Sequence, residues 1–568
     1  MIVREVRSQE SGVKSQKQEV RNKKQEKSCI LHLTSCLLLI FTIYCSLFTV
    51  SRAEVSPTQR EEKIEKGNAL FLSLKEGIAL TLKNNLEISI ESINPEISKT
   101  EITRNEAEFD YNFNASTSVG KNRIPSASAF ANPPEAENEA FSVSAGIKKR
   151  ATAGTNYQVS VDTQRAMSNS KYQGLQPQYT TNLNLSITQN LLKDFGVDIN
   201  TAKIKIASNN RDISINQLKG KGITIISQVE EIYWDLVFAV EDLKVKRESF
   251  KLAQDLERRI RIQVEVGTMA PIEITQGQAE VAMREEDVII SQNRVESVED
   301  MLKKIINIEN HPFIPPSEGG EGEGLKGGWD LAIVPTDAPK VLPENVVMEE
   351  SIKVALENRP EYKQAEIDLK NKNIQVEYKK NQLHPSLDLV GSLKLNGISG
   401  DAEDVIGLSG TPLRSSFGGD YFKSYDRLIS GNYYDWSVGL SLQIPLGNRA
   451  AASSYTAAKL DIEKGLKSLK NLEHQIFVEV REAVRSIETN KKRVNTTAVS
   501  RRLAEEKLSA EEKKYAVGMS TSFNVLEYQR DLIAAKTREI SAIIDYNKSL
   551  VNLERVKGTT LEKSNVEL

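Results

Sequence analysis

From Phe109 onward the chain alternates. Phe109, Tyr111, Phe113, Ala115, Thr117 and Val119 share one face of an extended segment, and Asp110, Asn112, Asn114, Ser116 and Ser118 share the other. Successive side chains of a strand point to opposite faces, so this period of two predicts a β-strand. About eleven residues is also the length that crosses a bilayer when tilted. The pattern returns as Leu183, Leu185 and Ile187 against Asn182, Asn184, Ser186 and Thr188, and as Leu387, Leu389, Leu393 and Leu395. It is cleanest in Tyr434, Trp436, Val438, Leu440, Leu442 and Ile444, opposed by Asp435, Ser437, Gly439, Ser441 and Gln443. Segments 141–147 and 157–161 are also strand-like, and are read either as a long surface hairpin or as further barrel strands.

The remaining pattern is helical. Helices are expected over about 72–106, 197–265 and 272–309, and again over about 347–381, 450–516 and 523–557. Ile225, Val229, Ile232, Leu236, Val240 and Leu243 keep helical spacing with charges on the other side, which is a packing seam. At 1.5 Å per residue the middle helix of each set is roughly 100 Å long, and two half-length helices stacked end to end would match it. Two turns break the helical stretches. In Val266-Gly267-Thr268-Met269-Ala270-Pro271, Gly can take positive φ and Pro can start a helix without continuing one. Val517-Gly518-Met519-Ser520-Thr521-Ser522 repeats the break with a Ser or Thr cap in place of Pro. Arg359-Pro360 reads as a further helix boundary, because Pro disfavours helix in the residue before it.

The two sets are copies. A shift of 274 positions lays Leu74, Ile78, Leu82, Asn84 and Glu87 onto Met348, Ile352, Leu356, Asn358 and Glu361, and a later shift of 251 lays Val266-Gly267 and Gln278 onto Val517-Gly518 and Gln529. Each copy reads helix, strands, long helix, turn, helix, so the chain holds two internal repeats. The expected organisation is a signal peptide over 1–53, a first repeat over 54–309, a linker over 310–345, a second repeat over 346–562 and a tail over 563–568. The linker holds Pro312, Pro315, Pro316, Pro335, Pro339 and Pro343 with a Glu-Gly tract at 318–324, a composition that cannot bury a core.

The N-terminus is basic through Lys23, Lys24 and Lys27 and is followed by an uncharged apolar run over 30–50, with Ser51-Arg52-Ala53 offering small residues at the positions a signal peptidase reads. Such a run is also long enough for a membrane anchor. All three cysteines, Cys29, Cys36 and Cys45, lie here, so cleavage after Ala53 would leave no thiol, which suits an oxidising envelope compartment. Leu33-Thr34-Ser35-Cys36 matches a lipoprotein box only superficially, since most of the apolar residues follow it. A net charge of −3 speaks against a nucleic-acid partner. With His311, His384 and His474 far apart and no cysteine after the leader, the usual nucleophile, base and metal-ligand sets are missing. No catalytic residue, metal or cofactor is expected.

A strand apolar on one side and small or polar on the other suits lipid outside and water inside, although a half-buried soluble sheet shows the same alternation. Tyr111, Phe113, Tyr433, Tyr434 and Trp436 gather near strand ends, as an interfacial girdle would. Four strands cannot close a membrane barrel whose smallest single-chain examples have about eight, so copies must combine.

Ala355-Leu356-Glu357-Asn358-Arg359-Pro360-Glu361, the junction Leu442-Gln443-Ile444-Pro445-Leu446, its counterpart Thr188-Gln189-Asn190-Leu191-Leu192, Tyr233-Trp234-Asp235-Leu236 and the two Val-Gly turns are each unspecific alone. In this order, over nearly everything after residue 70, the chain resembles the TolC-like outer-membrane efflux proteins. The resemblance implies an α+β fold: an outer-membrane β-barrel of four or more strands per chain, four in the family, completed by trimerisation and continued by a long antiparallel α-helical barrel in the periplasm. It implies a homotrimer in the outer-membrane lipid, a periplasmic adaptor and an inner-membrane pump as partners, and an efflux or type I secretion role. The tips that would meet the adaptor are Val266, Gly267, Thr268 and Met269 with Val517, Gly518, Met519 and Ser520. Glu527 falls on one of the family's aperture acids, Asn524 departs from another, and Glu273 matches Asn524 in the first repeat. Trp436, Val438, Leu440 and Leu442 would face lipid. The rivals are a periplasmic adaptor, which should carry small β-domains around one hairpin, and a structural coiled-coil protein, which has no use for the strands. The exported substrate and the class of pump leave no mark in the sequence.

Overall fold

The computed structural model describes residues 59–65, 68–125, 133–308, 329, 331–341, 346–406 and 410–566; the leader and the Glu-Gly tract of the linker lie outside these. Contacts divide the chain into two units. The smaller takes in residues 1–70 and 330–332. In it the helix Gln59–Glu65 is followed by Asn68, whose N–H donates to the Lys63 carbonyl at 2.8 Å and whose own carbonyl accepts from Ala332 N–H at 3.0 Å. The larger unit, 71–329 and 333–568, holds the sheet and the long helices.

In that unit each repeat opens on a broken helix: α1 (Leu74–Asn84) and α2 (Leu86–Glu106), then later α5 (Met348–Asn358) and α6 (Pro360–Asn381). The breaks at Asn85 and Arg359 divide helices that the hydrophobic pattern alone reads as single. Asn85 takes extended backbone, caps α2 by accepting from Ile88 N–H at 3.0 Å, and donates to the Ile305 carbonyl at 2.8 Å. Arg359, 8% exposed, takes the same backbone ahead of Pro360 and donates to Glu479 at 2.7 Å. A buried polar side chain thus fixes each break to a neighbouring helix, Asn85 to the half-length helix that ends at Ile306 and Arg359 to the long helix that carries Glu479.

The long helices are α3 (Ala202–Glu265, 64 residues) and α8 (Arg449–Ala516, 68 residues), about 96 and 102 Å at helical rise. Each turns back into a half-length partner, α4 (Ile272–Ile306) or α9 (Ser522–Lys557). Helices α2 and α4 pack on α3, α6 and α9 pack on α8, and α6 and α9 also reach α3, which joins the repeats. Along the seam Ile225, Val229, Leu236 and Leu243 are buried, with Ile232 and Val240 half-buried. The 251-residue shift maps Ile225, Val229, Tyr233, Leu236 and Leu243 onto Ile476, Val480, Val484, Ile487 and Val494, all buried in the second repeat. The duplicated sequence therefore buries the same helical positions twice.

Part of the stretch read as linker is built in. Ile333 is fully buried and its N–H donates to Glu299 at 3.0 Å, while Asp337 accepts from Leu74 N–H at 2.7 Å and from the Tyr233 hydroxyl at 2.9 Å. Proline excludes helix but not an extended segment pinned by side chains, so composition alone misjudged 333–337.

Six long strands form one antiparallel sheet: β1 (Asn112–Pro125), β2 (Glu135–Arg150), β3 (Thr155–Ser168), β4 (Leu175–Asn190), β5 (Ser386–Ala402) and β6 (Tyr434–Gln443), in the spatial order β6-β5-β4-β3-β2-β1. Six falls within the expected four or more strands per chain and exceeds the four that the resemblance implies. Segments 141–147 and 157–161 lie inside β2 and β3 and pair along their length, so they are members of the sheet and not a separate hairpin. The first strand begins later than the alternation suggests, because Ala107–Phe109 closes a 3-10 turn in which Asp110 N–H donates to the Ala107 carbonyl at 3.2 Å.

Candidate functional site: the strand face and the helical tips

Register decides what the sheet offers. Pairing aligns Val161, Leu183, Leu395 and Tyr434 in one row across β3 to β6, and Ile147, Val159, Leu185, Leu393 and Trp436 in a neighbouring row across β2 to β6. Phe113 pairs with Ile147 and Val119 with Phe141, which carries the same face onto β1. A slip of one residue in any strand would have turned its apolar set over, so six strands agreeing is a constraint shared by both repeats. The face is open: Trp436, Val438, Leu440 and Leu442 are each between 59% and 69% exposed, where a soluble sheet would have covered them.

The opposite face is hydrophilic and bonded within itself. Asp162 on β3 accepts from Ser144 on β2 and Asn184 on β4, the Ser392 and Ser437 hydroxyls meet at 2.8 Å, and Asn396 donates to Asp435 at 2.9 Å. Short hydroxyl and amide side chains leave room beside them and stay wettable. The aromatic residues divide between the two ends. Tyr111 and Phe113 flank the start of β1, and Tyr433, Tyr434 and Trp436 the start of β6. Since β1 leaves the helices and β6 returns to them, these are opposite ends of the sheet. Both edge strands, β1 and β6, are exposed along their whole length.

At the far end of the helices the two turns are built alike. Gly267 has φ +78° and Gly518 φ +77°; Thr268 N–H donates to the Gln263 carbonyl and Met519 N–H to the Lys514 carbonyl, each at 2.9 Å. A left-handed residue after the helix and a bond reaching back five residues satisfy carbonyls that the helix end leaves open. Val266, Gly267, Thr268, Val517, Gly518 and Met519 are exposed. Met269 and Ser520 turn inward instead. Met269 lies against Tyr515, whose hydroxyl donates to Gln263 at 2.9 Å, and Ser520 donates to Glu511 at 2.5 Å. The Ser520 bond, followed by Lys514, holds the Glu511 carboxyl below its ordinary value. Thr521 supplies the expected cap, accepting from Asn524 N–H at 3.4 Å.

The three candidate aperture residues differ in their freedom. Glu527 is exposed on α9. Asn524 donates to the Ser520 hydroxyl at 3.3 Å. Glu273 accepts a hydrogen bond from the Ser522 hydroxyl of the other repeat, which fastens the two tips together. A second inter-repeat tie lies deeper. Glu280, 2% exposed, accepts from Arg530 of α9 at 3.1 Å and from Arg284 at 2.7 Å. Burial alone would raise its carboxyl; the Arg530 hydrogen bond and the two guanidinium charges outweigh burial and hold it below the ordinary value. Sequence offers only the Glu280 to Arg284 spacing of one helical turn, which is common on solvated helices.

Among the described residues no group of three or more His, Cys, Asp or Glu could hold a metal ion, and no helix is long and apolar enough to cross a membrane.

Residues 351–559 match the family model described as Outer membrane efflux protein. Nodulation protein T of Rhizobium leguminosarum bv. viciae is 23% identical over 340 residues, a match covering 58% of this chain and 60% of that relative's length. Among solved structures, a membrane protein from Pseudomonas aeruginosa superposes with a TM-score of 0.60 at 14% identity, covering 85% of this chain and 93% of that one. The Campylobacter jejuni CmeC outer membrane channel gives 0.58 at 15% identity over 92% and 94%, and the Vibrio cholerae outer membrane protein VceC gives 0.57 at 13% over 89% and 99%. These structural likenesses establish the fold over most of the chain, and the sequence match covers its second repeat. Over 351–559 the chain is thus similar to the outer membrane efflux proteins, and over most of its length it shares the fold of the solved outer-membrane channels.

Proposed function

We propose that the chain is one subunit of an outer-membrane channel that passes substrates from an inner-membrane pump and a periplasmic adaptor to the outside. The observation that carries this is the sheet: one continuous apolar face, one hydrogen-bonded polar face and two unpaired edges, joined directly to helices of about 100 Å. Unpaired edges are closed most simply by copies of the same chain, β1 of one against β6 of the next. Three copies of six strands make a barrel of eighteen (3 × 6), a strand number that leaves an aqueous channel. Leu86, Ile90, Ile93 and Ile97 form an exposed apolar stripe along α2, which contact between copies would cover. The exposed turns around Gly267 and Gly518 are the adaptor surface, and Glu527, repeated by symmetry, lines the periplasmic entrance.

The test is the mass of the assembly extracted from outer membranes in mild detergent, together with crosslinking from Val266→Cys and Met519→Cys. A trimer whose tips crosslink to a periplasmic adaptor is expected. A soluble monomer sinks the channel reading, and a trimer without a tip partner sinks the tripartite part alone.

A further inference from the structure

Between β5 and β6 the chain makes a nine-residue helix, α7 (Tyr421–Ile429), which lies on the sheet rather than on the long helices. Its contacts say which face it covers. The Ser424 and Thr181 hydroxyls meet at 2.9 Å, the Tyr425 and Thr163 hydroxyls at 3.0 Å, Ser399 donates to the Asp420 carbonyl at 2.8 Å, and the Tyr421 ring stands edge-on to Tyr179 at 5.5 Å. Thr163, Thr181 and Gly397 form one row of the pairing, and Tyr179 and Ser399 belong to the next row out. By alternation these positions share the face of Leu183, Leu185, Leu393 and Leu395. Helix α7 therefore sits on the apolar face, at the end remote from the long helices. Gly397 permits the approach, since a Cβ there would collide with the Ser424 carbonyl oxygen.

The helix marks where the apolar band stops. From the Leu387 and Leu442 row to the Leu395 and Tyr434 row is eight residues, about 26 Å along a strand and about 20 Å after a tilt of about 40°. The row beyond holds Thr163, Thr181 and Gly397, beneath α7. The flanks of α7 are unlike. Arg427 donates to the carbonyls of Ile398, Phe417 and Gly418 at 2.6, 2.8 and 3.0 Å, so its flank looks toward the connecting loops. Phe422 and Ile429, seven residues apart and so one above the other, lie on the opposite flank and are 71% and 80% exposed. Tyr421 stands edge-on to Phe422 and Tyr425, while Phe417 stands edge-on to Tyr433 and lies under the Arg427 guanidinium.

We infer that α7 is a membrane-interface helix: it lies along the outer boundary of the hydrocarbon layer, with Phe422 and Ile429 in the acyl region and the Arg427 flank at headgroup level. The ligand is the lipid surface itself. An amphipathic helix with aromatic and aliphatic residues on one side suits that depth, and the apolar flank continues the band already exposed on the strands. This rests on the reading of the sheet as facing lipid.

The test uses single nitroxide labels in liposome-reconstituted channel. Cys29, Cys36 and Cys45 are the native cysteines, so with these changed to Ser each label stands alone. Labels enter through Phe422→Cys, Ile429→Cys, Leu440→Cys and Ser441→Cys, and collision with oxygen and with a water-soluble nickel chelate gives depth. Positions 422 and 429 are expected to read as shallow lipid sites, 440 as deeper and 441 as aqueous. If 422 and 429 match 441 while 440 reads lipid, or if they are shielded from both reagents by a second copy, the inference on α7 is overturned and the channel stands. If 440 is aqueous as well, the membrane reading of the sheet fails and α7 falls with it.

Discussion

Removing Glu280 should open the helices behind the tips far more than removing its half-exposed partner Arg530. Glu280 is 2% exposed and Arg284 8%, whereas the Arg530 side chain is half in solvent. Glu280→Ala leaves Arg284 buried without that carboxylate, and breaking a buried pair costs about 3–5 kcal/mol. Arg530→Ala leaves Glu280 still joined to Arg284 at 2.7 Å, so only one charge-assisted bond is lost, about 1–2 kcal/mol once its exposure is discounted. The assay is hydrogen exchange on the solubilised assembly, read over residues 272–290 and 522–540, because local opening needs no two-state unfolding of an oligomer. The sign of the pH dependence also follows. The folded carboxyl lies below its unfolded value near 4.5, so its contribution is complete above that pH and is lost as pH falls through the folded value. The gap between wild type and Glu280→Gln should therefore close below pH 4.5. Equal protection in Glu280→Ala and Arg530→Ala, or a gap undiminished at low pH, would refute the argument.

Leu440→Arg should cost about 2–4 kcal/mol near the bilayer midplane and reduce assembled oligomer on unheated gels, while Ser441→Asn on the wet face should leave it unchanged. Burial, partly offset by Lys563, pushes the Glu230 carboxyl up to about 7 from 4.5. The unfolded chain releases that proton first, so stability should fall as pH rises from 4.5 to 7, by about 1–3 kcal/mol for a half-buried group, and Glu230→Gln should flatten that part of a melting-temperature profile. Glu527→Gln should lower cation preference and multivalent-cation block in planar bilayers at an unchanged level of assembly; unaltered selectivity would make Glu527 an ordinary solvated residue. Glu273→Gln, which weakens the Ser522 tie, should raise exchange at the tips without adding to the selectivity change.

Helices and strands were legible wherever one local period governed the pattern. The alternation of 434–444 and the spacing of Ile225, Val229, Leu236 and Leu243 each need only neighbours along the chain to be read. Partner choice is not local. That 141–147 and 157–161 sit between β1 and β4 depends on register with segments whose own patterns say nothing of order. The nine residues of α7 are too few for periodicity to separate helix from loop, and their place follows from a glycine in another strand. At the tips, Gly267 and Gly518 announce the turns because positive φ selects glycine. The Glu273 tie could not be read in sequence because its partner, Ser522, comes from the other repeat. The 251-residue shift lays Glu273 onto Asn524, yet the fold bonds it to Ser522, a position the repeat alone does not single out.

The join between β4 and β5 has a consequence in time. Leu183 meets Leu395 across 212 residues of chain (395 − 183), whereas β1 to β4 pair in sequence as successive hairpins. Hairpins close in microseconds, whereas joining β5 to β4 closes a loop of that whole length, and its entropy is lost before any contact rewards it. The four strands of the first repeat can thus form ahead of their neighbour. Until the second repeat docks, β4 is an open edge, and that interval is the one in which wrong pairing competes.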